Sequence, residues 1–413
     1  MKQPHLVFIF SDQQHWRAAG CRDPFFHTPH FDAFAADAIR FDTVYCTTPL
    51  CSPSRATLMT GLMPRTHGVI DNGVPLRRGT IAPMLRQAGY RTAYFGKWHL
   101  RAQPVATAGW DEQNGVCDEY VAPNRPLSDS ETCASALEFI RRIDPAGPPV
   151  ALFVSFDQPH GVYCADPNGP YPPGHVPEPV VRDDAPLPAS WRQRERDILV
   201  DWAAYYSARP NLYRKTLATD EHAWRRYREV YRACVAAYDA LLGTVLDALR
   251  SRGIYDQAMI VVTADHGDMD AAHRLAFKGP LAYDEVQRVP LAVRMPSSMR
   301  RGGARVDAES LISLVDLHPT LLECAGIEPA GGEGISLLPV LTGATPRHPR
   351  AEAIIEYPEP AVRTIRRGRY KYTEYPGIGA ALFDLSTDPD ELHNVSESRA
   401  HAGAVKELSA RLC

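Results

Sequence analysis

Cys51, Pro53 and Arg55 head the run Cys51-Ser52-Pro53-Ser54-Arg55-Ala56-Thr57-Leu58-Met59-Thr60-Gly61, which joins a nucleophilic side chain to a cation at helical spacing. Proline is tolerated in the first turn of a helix and most of the following residues are good helix formers, so the spacing predicts a helix that starts at residue 51. Unpaired backbone N–H groups and the positive end of the helix dipole would then face whatever residue 51 binds. Arg55, one turn on, is expected to reach back and neutralise an oxyanion there. The segment thus suits an anion site with a nucleophilic side chain at its centre.

Polar clusters follow four predicted strands: Asp12-Gln13, Lys97-Trp98-His99, Gln158-Pro159-His160 and Asp265-His266. Two carboxylates, an amide oxygen and an imidazole suit a divalent cation, and this donor set does not choose among calcium, magnesium and manganese. Lys97, His99, His160 and Lys278 add positive charge. A lysine or histidine in a loop is ordinarily solvated; the common position after strands is what groups these residues.

The elements that must position them alternate strand and helix. Strands are expected at 5–10, 91–95, 150–156 and 258–263, and helices at 30–38, 81–88, 131–142 and 220–250. Such alternation predicts an α/β fold, a large, mostly parallel sheet sandwiched by helices. In open α/β sheets ligands bind beyond the carboxyl ends of the strands, so the four clusters should converge on one rim. Short alternating stretches at 352–356, 362–366, 370–373 and 382–384, then a helix at 401–412, predict a small C-terminal antiparallel α+β subdomain. The expected division is a catalytic domain over 1–340 and a subdomain over 341–413. A proline- and aromatic-rich insertion at 165–215 is expected to cross the rim as a substrate lid.

The Cys51–Gly61 run resembles the nucleophile segment of the type I sulfatases, in the alkaline phosphatase superfamily, whose Cys-x-Pro-x-Arg cysteine is oxidised to formylglycine. Gly96-Lys97-Trp98-His99 and Thr263-Ala264-Asp265-His266-Gly267-Asp268 resemble further elements of that family, and so does Phe277-Lys278-Gly279-Pro280. The resemblance implies a sulfuric ester hydrolase with catalytic Cys51, Arg55, Lys97, His99, His160 and Lys278. It implies calcium, with manganese or magnesium as alternatives, held by Asp12, Gln13, Asp265, His266 and an oxygen of the modified residue 51. Lys97, His160 and Lys278 would hold the sulfate, with Asn72 and His273 as further substrate contacts. A formylglycine-generating enzyme is the implied maturation partner, and a small anionic sulfate ester the substrate. Many relatives carry Asp at the position of Gln13 and Asn at that of His266; the variants seen here also occur in the family, notably near its phosphonate and phosphodiester hydrolases, which leaves the choice of metal open. Hydrolysis of a phosphonate monoester or phosphodiester with the same nucleophile is the alternative. A third possibility is a binding protein whose Cys51 stays a thiol.

Composition limits the rest. The chain has 413 residues, a net charge of −4 and nine cysteines. That balance predicts no nucleic-acid or membrane partner, so an anionic substrate must meet local positive charge. The cysteines are odd in number, scattered and without a Cys-x-x-Cys pair, which argues against a zinc cluster or disulfide framework. The apolar run 5–10 is too short for a signal-peptide core, so a cytoplasmic protein is expected, and the Ala/Arg-rich composition suggests a bacterial source.

Overall fold

Leu6 to Phe10 are all buried because strand β1 (His5–Asp12) is covered on both faces. Leu6, Phe8 and Phe10 pack on one side with Phe153 and Val261, while Val7 and Ile9 pack on the other with Leu152 and Ile260. Side chains of a strand alternate between faces, so an unbroken apolar run marks a strand with no solvent side. Burying one such Phe or Ile contributes about 1.5–3 kcal/mol. The computed structural model describes residues 3–100, 108–114, 120–122, 125–126, 128–165, 182, 184–192, 221–358 and 361–412.

The remaining strands are β2 (Ile39–Tyr45), β3 (Arg91–Gly96), β4 (Glu112–Gln113), β5 (Tyr120–Ala122), β6 (Arg125–Pro126), β7 (Val150–Pro159), β8 (Ala258–Ala264), β9 (Leu291–Arg294), β10 (Arg305–Ser313), β11 (Glu352–Tyr357), β12 (Val362–Arg367), β13 (Tyr370–Tyr375) and β14 (Gly379–Asp384). Eight of them form the main sheet in the order β10-β2-β9-β8-β1-β7-β3-β4. Strand β1 pairs in parallel with β7 and β8, β3 with β7 and β4, and β10 with β2. Strand β9 alone runs antiparallel to its neighbours, β2 and β8. The sheet is therefore the mostly parallel one expected.

The strand pattern does not mark β2, β9 or β10 in advance. Strand β9 spans four residues, and β2 and β10 mix buried with half-exposed polar positions. Their apolar period is too short or too broken to stand out until neighbours supply the missing face.

Helix Glu221–Ser251 does two jobs. Its C-terminal half packs Tyr238, Leu242, Leu246 and Leu249 against the sheet, while Trp224, Tyr227 and Tyr231 of the N-terminal half enter a separate cluster with Phe26 and Phe277. Asp239 accepts the N–H groups of His30 and Phe31 at 3.0 and 2.7 Å, capping helix Pro29–Ala36, which has no cap of its own. No described helix is long and apolar enough to cross a membrane.

Strands β11 to β14 form an antiparallel meander, each pairing with the next, and helix Ala402–Leu412 packs Leu408 and Leu412 on Ile365 and Leu382. This sheet meets the main body through Tyr357, Val362 and Phe383, which share a cluster with Leu50, Met269 and Tyr283. At that seam Lys371, fully buried, donates to Asp284 at 2.6 Å and pairs with Glu391.

Candidate active site

Asp12 ends β1, Asp265 directly follows the neighbouring β8, Lys97 follows β3, and Asp157 lies in the last turn of β7. These strands are adjacent and parallel, so their carboxyl ends share one rim. Gly96 is required at the third of them: its φ is +100°, and a Cβ there would lie 2.0 Å from the Ser155 carbonyl oxygen. Only glycine lets β3 turn Lys97 inward so close to β7.

Helix Cys51–Thr60 enters the same rim with all ten residues buried. Leu50 at its N-cap provides no side-chain cap, and Asn72 supplies one from a distant loop, its Oδ1 accepting the Ser52 N–H at 3.0 Å. Ser52 Oγ donates to the His99 carbonyl, and Ser54 Oγ to the Asp265 carbonyl at 2.6 Å. These bonds fix the Cys51–Thr60 helix to two of the strand ends and to the loop that carries Asn72.

Cys51 Sγ lies 3.2 Å from His266 Nε2 and 3.5 Å from Asp12 Oδ1, and Lys278 Nζ donates to it at 2.7 Å. Donor atoms of Asp12, Cys51, Asp265 and His266 all lie within 4.8 Å of one another. His266 Nδ1 is 3.0 Å from the Gly267 carbonyl oxygen, so it carries the ring proton and Nε2 turns its lone pair to the cluster. Gln13 Nε2 donates to Asp268 at 2.7 Å, while Gln13 Oε1 is buried and accepts no hydrogen bond among the described residues.

Arg55 is placed differently from the expectation. Its Nε donates to Asp265 and its Nη2 to Asp12, each at 2.9 Å, and Nη1 reaches the Lys97 carbonyl and Ser155 Oγ. The guanidinium fork matches two carboxylates better than one sulfur, so Arg55 clamps the two acids and makes no described bond to Cys51. Lys97 is likewise paired, with Asp12 at 2.8 Å and Asp157 at 2.9 Å, and His160 Nδ1 lies 3.9 Å from Asp157.

Charge decides the protonation states. Burial alone would raise the Asp12 carboxyl, but Lys97, His160, Lys278 and Arg55 hold it well below the usual range. Burial and the Asp12 charge push Asp265 up. Burial and the neighbouring lysines depress His99, His160 and His266, which keeps these rings neutral. Burial and Asp12 push the Cys51 thiol up to about 12, so a thiolate is scarce near neutrality.

A family model described as Sulfatase matches residues 4–327, and a second, described as N-sulphoglucosamine sulphohydrolase, C-terminal, matches residues 273–413. The chain belongs to the sulfatase family. It is 28% identical to an N-acetylglucosamine-6-O-sulfatase of Bacteroides thetaiotaomicron, over 98% of this chain and 85% of that one. Its fold superposes on a 2-O GAG sulfatase with a TM-score of 0.83 at 25% identity, covering 100% of this chain and 91% of the other. A phosphonate monoester hydrolase of Agrobacterium radiobacter shares the fold with a TM-score of 0.79 at 24% identity, covering 99% and 95%. The chain is thus an enzyme of the sulfatase family, within the alkaline phosphatase superfamily, and the family's reaction is sulfate ester hydrolysis.

Within this sulfatase fold, Asp12, Gln13, Cys51, Arg55, Lys97, His160, Asp265, His266 and Lys278 gather at one buried centre, and His99 lies beside it with its backbone bound to Ser52. Two residues expected to contact substrate have partners within the protein. Asn72 Oδ1 is engaged as the cap of the nucleophile helix. His273 is buried with its ring stacked on Tyr283 at 3.9 Å, on the side facing the C-terminal sheet. The insertion expected to form a lid, 165–215, lies outside the described residues except for 165, 182 and 184–192.

Asp157, Asp268 and Tyr227 belong to the site without having been singled out. Asp157 stands in the post-strand cluster beside His160, and Asp268 closes Asp265-His266-Gly267-Asp268, so both had a local signal. Tyr227 had none, because a tyrosine on an amphipathic helix looks like any other core residue.

Proposed function

We propose that the enzyme hydrolyses a sulfate ester with a formylglycine nucleophile derived from Cys51, assisted by a divalent cation. The observation that carries this reading is the placement of Cys51 Sγ among Asp12, His266 and Lys278 at a helix N-terminus, with a thiol too weakly acidic to act as it stands. The sulfur occupies the position that an oxygen of the hydrated aldehyde would take. Oxidation to the formylglycine aldehyde followed by addition of one water gives a geminal diol, one hydroxyl to attack sulfur and a second whose deprotonation expels the sulfate and restores the aldehyde.

The residues present fit a cation. Asp12, Asp265, the His266 Nε2 lone pair and the unbonded Gln13 Oε1 form a hard, mainly oxygen donor set. A cation bound there would lower the pKa of the residue 51 hydroxyl and draw charge from the sulfate. Calcium is the proposed ion, with manganese or magnesium as alternatives.

The chain's own residues supply the rest. Arg55 holds Asp12 and Asp265 in place and offsets part of the upward push on Asp265, which keeps both carboxyl groups aimed at one point. Lys278 and Lys97 neutralise sulfate oxygens, and Lys278 hands a proton to the departing alcohol oxygen, or His160 does so once the anionic substrate has drawn a proton onto its otherwise neutral ring. His99, held neutral, accepts the proton of the second hydroxyl as sulfate departs. The same nucleophile and the neutral donors Gln13 and His266 also suit a phosphonate monoester or phosphodiester.

The test has two parts. The mass of the residue 51 peptide, from protein made beside a formylglycine-generating enzyme, should show aldehyde in place of thiol. That protein should release inorganic sulfate from an aryl sulfate, and Cys51→Ala should not. A higher kcat/KM on the matched phosphonate ester would favour the second reading, and persistence of the thiol would sink both.

A further inference from the structure

Asp268 and Tyr227 make no described bond to Cys51, Lys97 or Lys278, yet Asp268 binds Gln13 and Tyr227 binds the residue that precedes Lys278. Asp268 Oδ2 accepts Gln13 Nε2 at 2.7 Å, and its Oδ1 accepts the Asp270 N–H at 2.8 Å. Tyr227 Oη lies 2.7 and 2.9 Å from the two carboxylate oxygens. The same hydroxyl accepts the Phe277 N–H at 2.9 Å, while the Phe277 carbonyl accepts the Met269 N–H at 2.8 Å. Phe277 has a φ of +67° and directly precedes Lys278. All these groups are buried.

An amide can present either end, and at Gln13 the two ends are not equivalent partners for a cation. A carboxylate only accepts, so Asp268 takes the NH2 end and leaves Oε1 unbonded. We propose that the Tyr227–Asp268 pair sets the amide orientation of Gln13, turning Oε1 to the Asp12–Cys51–Asp265–His266 cluster as a fifth donor, and through Phe277 ties that orientation to the segment carrying Lys278. Both are positioning residues. The inference rests on the cation reading of the site.

Asp268→Asn tests it, because Oδ1 and Oδ2 each face an N–H donor. Either orientation of an asparagine amide sets two donors against each other, at Asp270 or at Gln13. Calcium titrated calorimetrically into the chelator-treated full chain should bind about tenfold to a hundredfold more weakly in this variant. Gln13→Glu alone should also bind weakly, since two carboxylates would then meet. Combining Gln13→Glu with Asp268→Asn restores a donor-to-acceptor bond with reversed polarity and should recover most of the affinity. Tyr227→Phe, which keeps the ring in its apolar cluster, should weaken binding to a smaller extent.

Unchanged affinity in Asp268→Asn, or a double variant binding no better than Asp268→Asn, would overturn the proposal while leaving the cation site standing. A wild-type chain that binds none of calcium, manganese and magnesium would overturn the cation reading and this inference together. Turnover is not read, and every variant is compared with wild type in the same chemical state of residue 51, so the formylglycine assignment cancels from the comparison.

Discussion

Lys278 Nζ donates to Cys51 Sγ at 2.7 Å across 227 residues of sequence, and it is buried while doing so. If Cys51 is the precursor of the proposed nucleophile, a buried ammonium opposite it would stabilise charge that grows on the sulfate and the leaving oxygen. Preorganised charge in a water-poor site is worth more than the same charge in solvent.

Lys278→Ala should therefore lower kcat/KM on the best substrate by about 10²- to 10³-fold, or roughly 3–4 kcal/mol of transition-state stabilisation. Steady-state kinetics on converted protein checks this. An effect confined to KM would show that Lys278 only binds the substrate.

Arg55 stands between two fully buried carboxylates, and their mutual repulsion is what it offsets. Removing one partner from a buried ion network costs about 3–5 kcal/mol, because charge is left uncompensated. Arg55→Ala should lose that much stability in chelator, measured by denaturant unfolding, and Arg55→Lys should recover little of it, since an ammonium cannot reach both acids as the fork does. Wild-type stability in Arg55→Ala would contradict the clamp.

Asn72 gives the sharpest contrast between capping and substrate contact. As the cap of the Cys51–Thr60 helix it should contribute about 1 kcal/mol, so Asn72→Ala should lower stability by that amount and Asn72→Asp should retain most of it. Thermal melts and KM are read together. A large rise in KM with an unchanged melt would return Asn72 to the substrate.

Asp316 controls a pH response away from the site. Burial would raise its carboxyl, but His348, its Nε2 3.3 Å away, and the hydrogen bonds and charge of Arg350 hold it below the usual range, and it also accepts the Ile335 N–H at 2.7 Å. A depressed folded-state pKa means the folded chain favours the ionised form. Its contribution is complete above the unfolded value of about 3.9 and is lost as pH falls through the folded value. Asp316→Asn should thus be less stable than wild type at neutral pH, and the gap should narrow as pH drops below about 4. Unfolding free energies measured at both ends check the sign.

Sequence and structure divide along physical lines. Strand β1 and its buried partners were legible because residues covered on both faces leave an unbroken apolar run. The Cys51–Thr60 helix was legible because Cys51, Pro53 and Arg55 obey local rules of helix starts, and the convergence of Asp12, Gln13, Asp265 and His266 because each stands at a strand end. Strand β9 was not legible, since four residues carry no periodicity. The target of Arg55 was misread for a related reason: helical spacing says which residues lie near Cys51 along the chain, whereas Asp265 arrives from 210 positions away. Tyr227 was invisible, because its hydroxyl differs from any other buried tyrosine only in meeting Asp268 and the Phe277 N–H. The sequence by itself determined the chemistry available, namely a cysteine at a helix start, acids and bases after strands, and a parallel sheet to bring them to one edge. Which acid pairs with which base, and which end of Gln13 faces the cluster, was decided only by the tertiary structure, because hydrogen bonds between distant segments depend on packing that no local spacing encodes.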